Sequence, residues 1–238
     1  MDNLLSNLNK LHITEKGELR IRANIILKTN DVLEWCRKAI KNADVIFGIG
    51  KNWYVYSQGN VITINIKSFT IITVHKISGK LRIMQESDYI CLKEFIYQAI
   101  YTPKEQEVPE RSIIYQPEIY RYIDDFGTRT GDIGVVIEQN RQVVGAAWTR
   151  IISDYGYIDD NTPELAISIL PEFRGYGMGT KLMKKLFKLL KQNGYYQTSL
   201  SVQKDNPAVR FYTRLGYKIM SERDDGIGHI DYLMLKKL

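Results

Sequence analysis

The stretch Leu165-Ala166-Ile167-Ser168-Ile169-Leu170-Pro171-Glu172-Phe173-Arg174-Gly175-Tyr176-Gly177-Met178-Gly179-Thr180 decides the fold. Its first six residues form a near-continuous apolar run, the pattern of a strand buried on both faces. A Gly-rich turn follows. Beyond it, Met178, Leu182, Leu186 and Leu190 recur every four residues, so residues 177–192 read as an amphipathic helix facing the sheet. Lys181, Lys184, Lys185, Lys188 and Lys191 fall off that stripe and read as a solvated face, one of them within reach of a phosphate. Glycines ahead of a helix let the backbone approach a ligand. The first N–H groups of the helix have no intrahelical partner, and with the helix dipole they make an anion site. A pyrophosphate is the natural guest.

Working outward, residues 198–202 read as a strand, 206–215 as a helix, and 217–222 and 229–235 as two final strands. Upstream, residues 80–84 read as a strand and 87–101 as a helix that Pro103 ends. A short helix is expected over 118–126. Strands over 133–138 and 142–152 are joined at Gln139-Asn140-Arg141, and 154–163 form a long acidic loop. Ser78-Gly79 separates this pattern from an earlier one. There, Leu4, Leu5, Leu8 and Leu11 fall at helical spacing, and a second helix is expected over 15–27. A third starts at the N-cap Asp31, with Glu34 as capping-box partner. Strands over 52–56, 61–66 and 70–76 then form a three-stranded antiparallel meander, with Gln58-Gly59-Asn60 as a turn. The fold class is α+β, with a small domain over 1–79 and a larger one over 80–238.

Two common phosphate loops fail on this turn. Glycines at 175, 177 and 179 are not GxGxxG, and Gly50-Lys51 lacks the upstream Gly and following Ser or Thr of a P-loop. Arg174-x-x-Gly177-x-Gly179 instead resembles the R/QxxGxG/A signature of the GCN5-related N-acetyltransferases (GNAT). Asp205-Asn206-Pro207-Ala208-Val209-Arg210-Phe211-Tyr212-Thr213-Arg214-Leu215-Gly216-Tyr217 resembles that family's second motif, in which a helix supplies a tyrosine and ends at Gly. The resemblance covers residues 80–238. It implies a mixed, mostly antiparallel central sheet flanked by helices, and acetyl-coenzyme A (acetyl-CoA) as co-substrate.

The resemblance also implies roles. Backbone groups of Ile167, Ser168 and Ile169, in an opening between two splayed strands, would bond the pantetheine arm and the thioester carbonyl. Polarising that carbonyl stabilises the charge that develops as an amine attacks. Arg174, Gly175, Tyr176, Gly177, Met178, Gly179 and Thr180 would cradle the pyrophosphate. Tyr212 would be the general acid for the leaving thiolate. Many members carry Asn three residues before the Ala of the second motif. Here Asp205 holds that place and Asn206 follows, so the contact falls to one or the other.

An ammonium acceptor must lose a proton before it attacks. Glu164, at the start of the buried strand, ranks first as base, with Asp159 and Asp160 as alternatives. Tyr97, Tyr101 and Trp148 are candidates to line the acceptor pocket, because an acidic, aromatic mouth suits a cationic amine. Plainer alternatives stand beside these: a packed helix tyrosine at 212, a solvated carboxylate at 164, core aromatics at 97 and 148, and a bare tight turn at the glycines.

Composition bounds the rest. The chain has 238 residues, 44% hydrophobic and 25% charged, which excludes a wholly disordered or collagen-like protein. Of the net charge of +6, residues 1–79 hold 11 Lys+Arg against 6 Asp+Glu, and residues 80–238 are almost neutral. The polar first ten residues are not a secretory signal, and no apolar run is long enough for a membrane helix. Cys36 and Cys91 therefore read as free thiols in a reducing cytoplasm. His12, His75, His229 and the cysteines show no metal-ligand spacing, so no metal is expected.

The stretches Asp31 to Cys36 and Gly50 to Val55 resemble a small, uncharacterised bacterial domain family, with Lys51, Asn52 and Trp53 as a candidate binding lip. The leading function is transfer of an acetyl group from acetyl-CoA to an amine of a small molecule or protein. The alternatives are a regulatory module that binds acetyl-CoA without catalysis, and a nucleic-acid-directed protein using its basic first domain. That domain shows no helix-turn-helix or aromatic RNA-binding signature. It is open to covering the cleft, choosing a partner or mediating a homodimer.

Overall fold

The computed structural model describes residues 2–77, 79–103, 105–139, 141–153, 155–224 and 230–238. Ser78, Asn140, Asp154 and His229, named above at a boundary, a turn, a loop and a strand start, lie outside them. The chain divides into two compact units, Met1–Ser78 and Gly79–Leu238.

The first unit holds helices α1 (Asp2–Leu5), α2 (Glu15–Asn24) and α3 (Val32–Lys41), then strands β1 (Val45–Ile49), β2 (Asn52–Ser57), β3 (Asn60–Asn65) and β4 (Ile71–Lys76). Caps set the helix starts. Thr14 Oγ1 accepts from Gly17 N at 3.1 Å, and Asp31 Oδ1 accepts from Glu34 N at 2.8 Å. Helix α2 stops at Asn24, short of the expected 27, because Ile25 is extended and the Asn24 amide donates to Val74 O and Thr73 Oγ1 on β4.

The sheet is antiparallel in the order β1-β2-β3-β4, one strand more than the expected meander. The added strand pairs Val45 to Ile49 against Tyr56 to Asn52 through a turn at Gly50, whose φ is +59°. Leu4, Ile21, Cys36, Ile40, Val55 and Ile62 are fully buried between helices and sheet. Trp53 packs on Phe69 at 5.3 Å within that core, so it forms no lip; Lys51 is exposed. Burial pushes the Cys36 thiol up to about 12, which keeps it protonated and inert.

The second unit is a seven-stranded sheet, β5 (Lys80–Ile83), β6 (Ile133–Gln139), β7 (Gln142–Arg150), β8 (Glu164–Ile169), β9 (Gln197–Gln203), β10 (Lys218–Asp224) and β11 (Ile230–Lys237), with helices α4 (Leu92–Ala99), α5 (Pro117–Tyr120), α6 (Met178–Gln192) and α7 (Ala208–Arg214). The spatial order is β10-β11-β9-β8-β7-β6-β5, and every neighbouring pair is antiparallel except β8–β9. The mixed sheet and helix order agree with the α+β expectation.

Two helices are shorter than their sequence pattern. Residues 86–91 form a 3-10 turn ahead of α4, because the Asp88 carboxylate is bound by Arg82 and by Gln85 N. Helix α5 ends at Tyr120, and the chain to 131 runs in turns with positive φ at Asp125 and Gly127. Those turns are held by a buried group. Asp132 accepts from Gly127 N and Arg129 N, and pairs bidentately with Arg150 at 2.7 and 2.8 Å. Both side chains of the pair are 1% exposed. Arg150 also donates to the carbonyls of Arg121 and Asp124, and its guanidinium lies over the Phe126 ring.

Removing one partner of such a pair strands a buried charge, at about 3–5 kcal/mol. Asp132→Ala should therefore lower the unfolding free energy of the full chain by about that amount in urea denaturation. A loss under about 1 kcal/mol would contradict the role given to the pair.

Candidate active site

The site begins where two strands part. Strand β8 is parallel to β9 but registers with it at one pair, Glu164 and Ser199. That junction is pinned from Pro163, whose carbonyl accepts from Ser199 N at 3.1 Å and Thr198 Oγ1 at 2.7 Å. Past it, β8 keeps only its β7 ladder. Leu170 N donates to Val144 O at 3.0 Å, and the antiparallel alternation that follows ties the backbone of Ser168 to β7 and turns that of Ile167 and Ile169 into the opening. The Ile169 carbonyl accepts from Arg174 Nε at 2.8 Å, which leaves Ile167 as the residue of that run whose N–H and C=O line the opening.

Arg174 anchors the turn. Its Nη2 donates to the backbone carbonyl and side chain of Gln98 on α4, at 3.2 and 3.3 Å. Burial holds its guanidinium below the usual arginine range, and Glu172 opposes that shift. Gly175 and Gly177 then adopt φ of +84° and +75°, a left-handed conformation that costs other residues strain. Gly177 is the N-cap of α6, so the N–H groups of Met178, Gly179 and Thr180 point out of the helix start. An added Cβ at Gly179 would lie 3.2 Å from the Phe211 ring, so this glycine lets α7 pack close. Met178, Leu182, Leu186 and Leu190 are buried, and Lys181, Lys184, Lys188 and Lys191 are exposed, as the four-residue spacing requires.

Two cavities flank the opening. A groove of about 560 Å³ takes in Ile167, Ser168, Ile169 and Arg174 on one side and Pro207 and Ala208 on the other. A cavity of about 280 Å³ takes in Glu164, Tyr122, Tyr155 and Asp231. Tyr212, Asn206, Ile167 and Tyr101 belong to both walls, so the two spaces meet at them. Tyr212 is half-buried and stacks edge-on against Tyr217 at 5.8 Å. Burial raises its phenol to about 12.

The remaining candidates separate cleanly. Glu164 is 3% exposed, with Oε1 accepting from Tyr122 OH at 2.5 Å, so it is no solvated strand end. Asp159 instead binds Asn161 N and Thr162 Oγ1, and Asp160 binds Tyr157 OH; neither lines either of these two cavities. Asn206 lines both spaces, and its Oδ1 accepts from the N–H of Ala208, the first residue of α7, at 2.9 Å. Asp205 lines neither, and its carbonyl accepts from Tyr101 OH.

Tyr97 stands in the groove wall, its hydroxyl donating to Pro109 O and its ring under Arg111, so it does not line the smaller cavity. Trp148 also corrects the sequence expectation: it is fully buried, and its Nε1 donates to Tyr122 O at 3.0 Å. Its large ring serves the core and positions Tyr122. Tyr122 and Asp231 are two polar lining residues among those that sequence reasoning missed. Tyr122 lay within an expected helix and Asp231 within an expected strand, and neither carries a local signal.

Residues 96–217 match the family model described as the acetyltransferase (GNAT) family. The chain belongs to the GNAT acetyltransferase family. A Bacillus subtilis protein named as a candidate acetyltransferase is 32% identical over 117 residues, 48% of this chain and 73% of its own length. The uncharacterized N-acetyltransferase YjcF of the same organism is 28% identical over 144 residues, 59% of this chain and 93% of its own. Among solved structures, the PaiA N-acetyltransferase of Thermoplasma acidophilum, crystallised with coenzyme A, shares the fold at TM-score 0.50 and 21% identity, covering 68% of this chain and 100% of its own. Residues 5–75 match a family described as a protein of unknown function, DUF3781. Among the described residues no helix is long and apolar enough to cross a membrane, and no group of three or more His, Cys, Asp or Glu could hold a metal ion.

The GNAT turn yields a direct test. A Cβ at Gly177 would meet nothing within 4 Å, so Gly177→Ala adds backbone strain alone. It should lower unfolding free energy by about 1–2 kcal/mol in urea denaturation; no change would mean that the turn does not need its left-handed residue.

Proposed function

We propose that the Gly79–Leu238 unit transfers the acetyl group of acetyl-CoA to a primary amine, of a small molecule or a protein, by direct attack in a ternary complex. The single observation that carries this reading is the meeting of the two cavities at Tyr212, Asn206 and Ile167. One space reaches Arg174, which leads into the Gly-rich turn, the other holds the buried Glu164 carboxylate, and Tyr212 touches both.

The groove fits the co-substrate. The helix N–H groups after Gly177 and the left-handed turn suit a pyrophosphate. The backbone of Ile167 suits a pantetheine arm and the thioester carbonyl. Acetyl-CoA supplies an activated acetyl group when bound. Glu164 takes a proton from the acceptor ammonium, directly or through a water, and the amine lone pair forms the C–N bond. The N–H of Ile167 offsets negative charge on the carbonyl oxygen. As the C–S bond breaks, sulfur receives the electron pair and a proton from Tyr212, and the second nitrogen proton, released as the amide forms, passes through water to restore the phenol.

The pKa of Tyr212 refines that last role. A phenol near 12 is a much weaker acid than an ordinary thiol near 8.5, so full transfer is uphill unless the same apolar wall raises the thiolate too. Tyr212 therefore acts first as a neutral hydrogen-bond donor to the sulfur while charge builds. Tyr212→Phe should slow release of free coenzyme A about 10²–10⁴-fold with a productive amine. Unchanged turnover would remove the tyrosine from its role. The phenol is raised above its ordinary value, so it stays protonated up to about 12. The wild-type rate profile should show no alkaline loss between pH 8 and 10 that Tyr212→Phe abolishes, and such a loss would contradict the raised value.

A further inference from the structure

We infer that the outward face of α6 docks the phosphate backbone of a duplex nucleic acid, without regard to base sequence. Charge in the second unit is segregated. Residues 173–221, which take in α6, β9 and α7, carry 10 Lys+Arg against 1 Asp+Glu. The rest of residues 80–238 carry 12 against 20. The near-neutral total therefore conceals one cationic layer.

The regular part of that layer is α6. Lys181, Lys184, Lys188 and Lys191 are exposed and stand three, four and three residues apart, so they fall on one face of the helix. Among the described residues none of the four is in an ion pair. The first unit differs: Arg22 pairs with Glu18, and Arg37 pairs with Glu34 and donates to the carbonyls of Leu8 and Leu11. A pyrophosphate at the Gly-rich turn does not account for the stripe. Lys188 and Lys191 stand about 15 and 20 Å along the axis from Met178, well past a Debye length of about 8 Å.

The length and chemistry of the stripe choose the partner. From Lys181 to Lys191 it covers about 15 Å. Each strand of duplex DNA carries one charge per about 3.4 Å of axis, so about four phosphates face the four ammonium groups. No apolar side chain of α6 is exposed. The helix thus has nothing to insert into a lipid surface and no anchor for a protein partner. Its one aromatic ring, Phe187, is half-buried with Lys236 Nζ over it at 5.2 Å, so single-stranded bases find no stacking platform there. Tyr196 is exposed, but it stands past the helix end, where its carbonyl accepts from Leu238 N.

Fluorescence anisotropy of the full chain with a labelled DNA duplex of about two helical turns, measured across salt concentrations, tests this. Binding should weaken with added salt at a log–log slope of about −3 to −4, the value for four phosphates. Duplexes of two unrelated sequences should bind alike. Lys188→Gln with Lys191→Gln should reduce the slope by about two and weaken binding about tenfold or more at low salt. Coenzyme A binding by that variant should be unchanged, which also checks its folding; its loss would return the stripe to the cofactor and overturn the inference. Lys16→Gln with Lys38→Gln, in the first unit, should leave the slope where it was. The inference is also overturned by no duplex binding at low salt, by a slope that the α6 pair does not change, or by an equal loss from the Lys16 and Lys38 pair. Tighter binding to the matching single strand, or binding to phosphatidylserine vesicles in place of the duplex, overturns it as well. A wild-type chain that fails to bind coenzyme A would overturn the acetyltransferase reading and leave the duplex measurement standing.

Discussion

The second unit depends on one geometric constraint: a parallel strand pair held at a single register point. Strands β8 and β9 meet at Glu164 and Ser199 and nowhere else in the ladder. A backbone group left without a sheet partner is costly unless something else satisfies it. The fold leaves Ile167 in that condition on the opening side, closes the neighbouring Ile169 carbonyl with Arg174, and keeps Ser168 tied to β7. Arg174, which leads into the Gly-rich start of α6, lines the groove beside that opening. The charge offered to an anion there is backbone charge, so the proposed recognition of a polyanion needs no net positive charge on the unit.

The floor of the smaller cavity is built from a different kind of interaction. The buried pair of Arg150 and Asp132 fixes the turns over 121–132, and Trp148 fixes the Tyr122 carbonyl from β7. Tyr122 then reaches Glu164, which is itself registered opposite Arg150 across the β7–β8 ladder. A single strand end therefore holds the carboxylate twice, through the sheet and through a loop. Gly156 completes the enclosure, because a Cβ there would meet the Glu164 carboxyl at 2.2 Å. Preorganisation of this kind matters for proton transfer, since a base must sit within hydrogen-bond reach of the proton it takes.

Much of the fold was legible because its signals are local. Four-residue apolar spacing marked α6, a buried apolar run marked β8, and Asp31 and Thr14 are caps whose chemistry acts within one turn. The left-handed turn ahead of α6 and the tyrosine helix were legible for the same reason: Arg174, the glycines and Tyr212 lie in two short stretches. What was missed depends on tertiary partners. The Asp88–Arg82 pair turns a helix start into a 3-10 turn, and the Asp132–Arg150 pair replaces the end of an expected helix with turns. Strand β1 escaped notice because Gly48 and Gly50 resemble loop residues, and only pairing with β2 makes the segment a strand. Residue type offered Trp148 to a pocket wall or to the core and Trp53 to a binding lip; both bury their rings in the core.

Hydrogen exchange of the full chain, with and without acetyl-CoA, tests the central claim most directly, because it reads the backbone groups on which the account rests. Bound acetyl-CoA should slow exchange at Ile167 and at the N–H groups of Met178, Gly179 and Thr180, and leave strands β5 and β6 unchanged. Absence of protection at both Ile167 and the α6 start, or protection confined to another face of the unit, would contradict the assignment of the β8–β9 opening as the cofactor site.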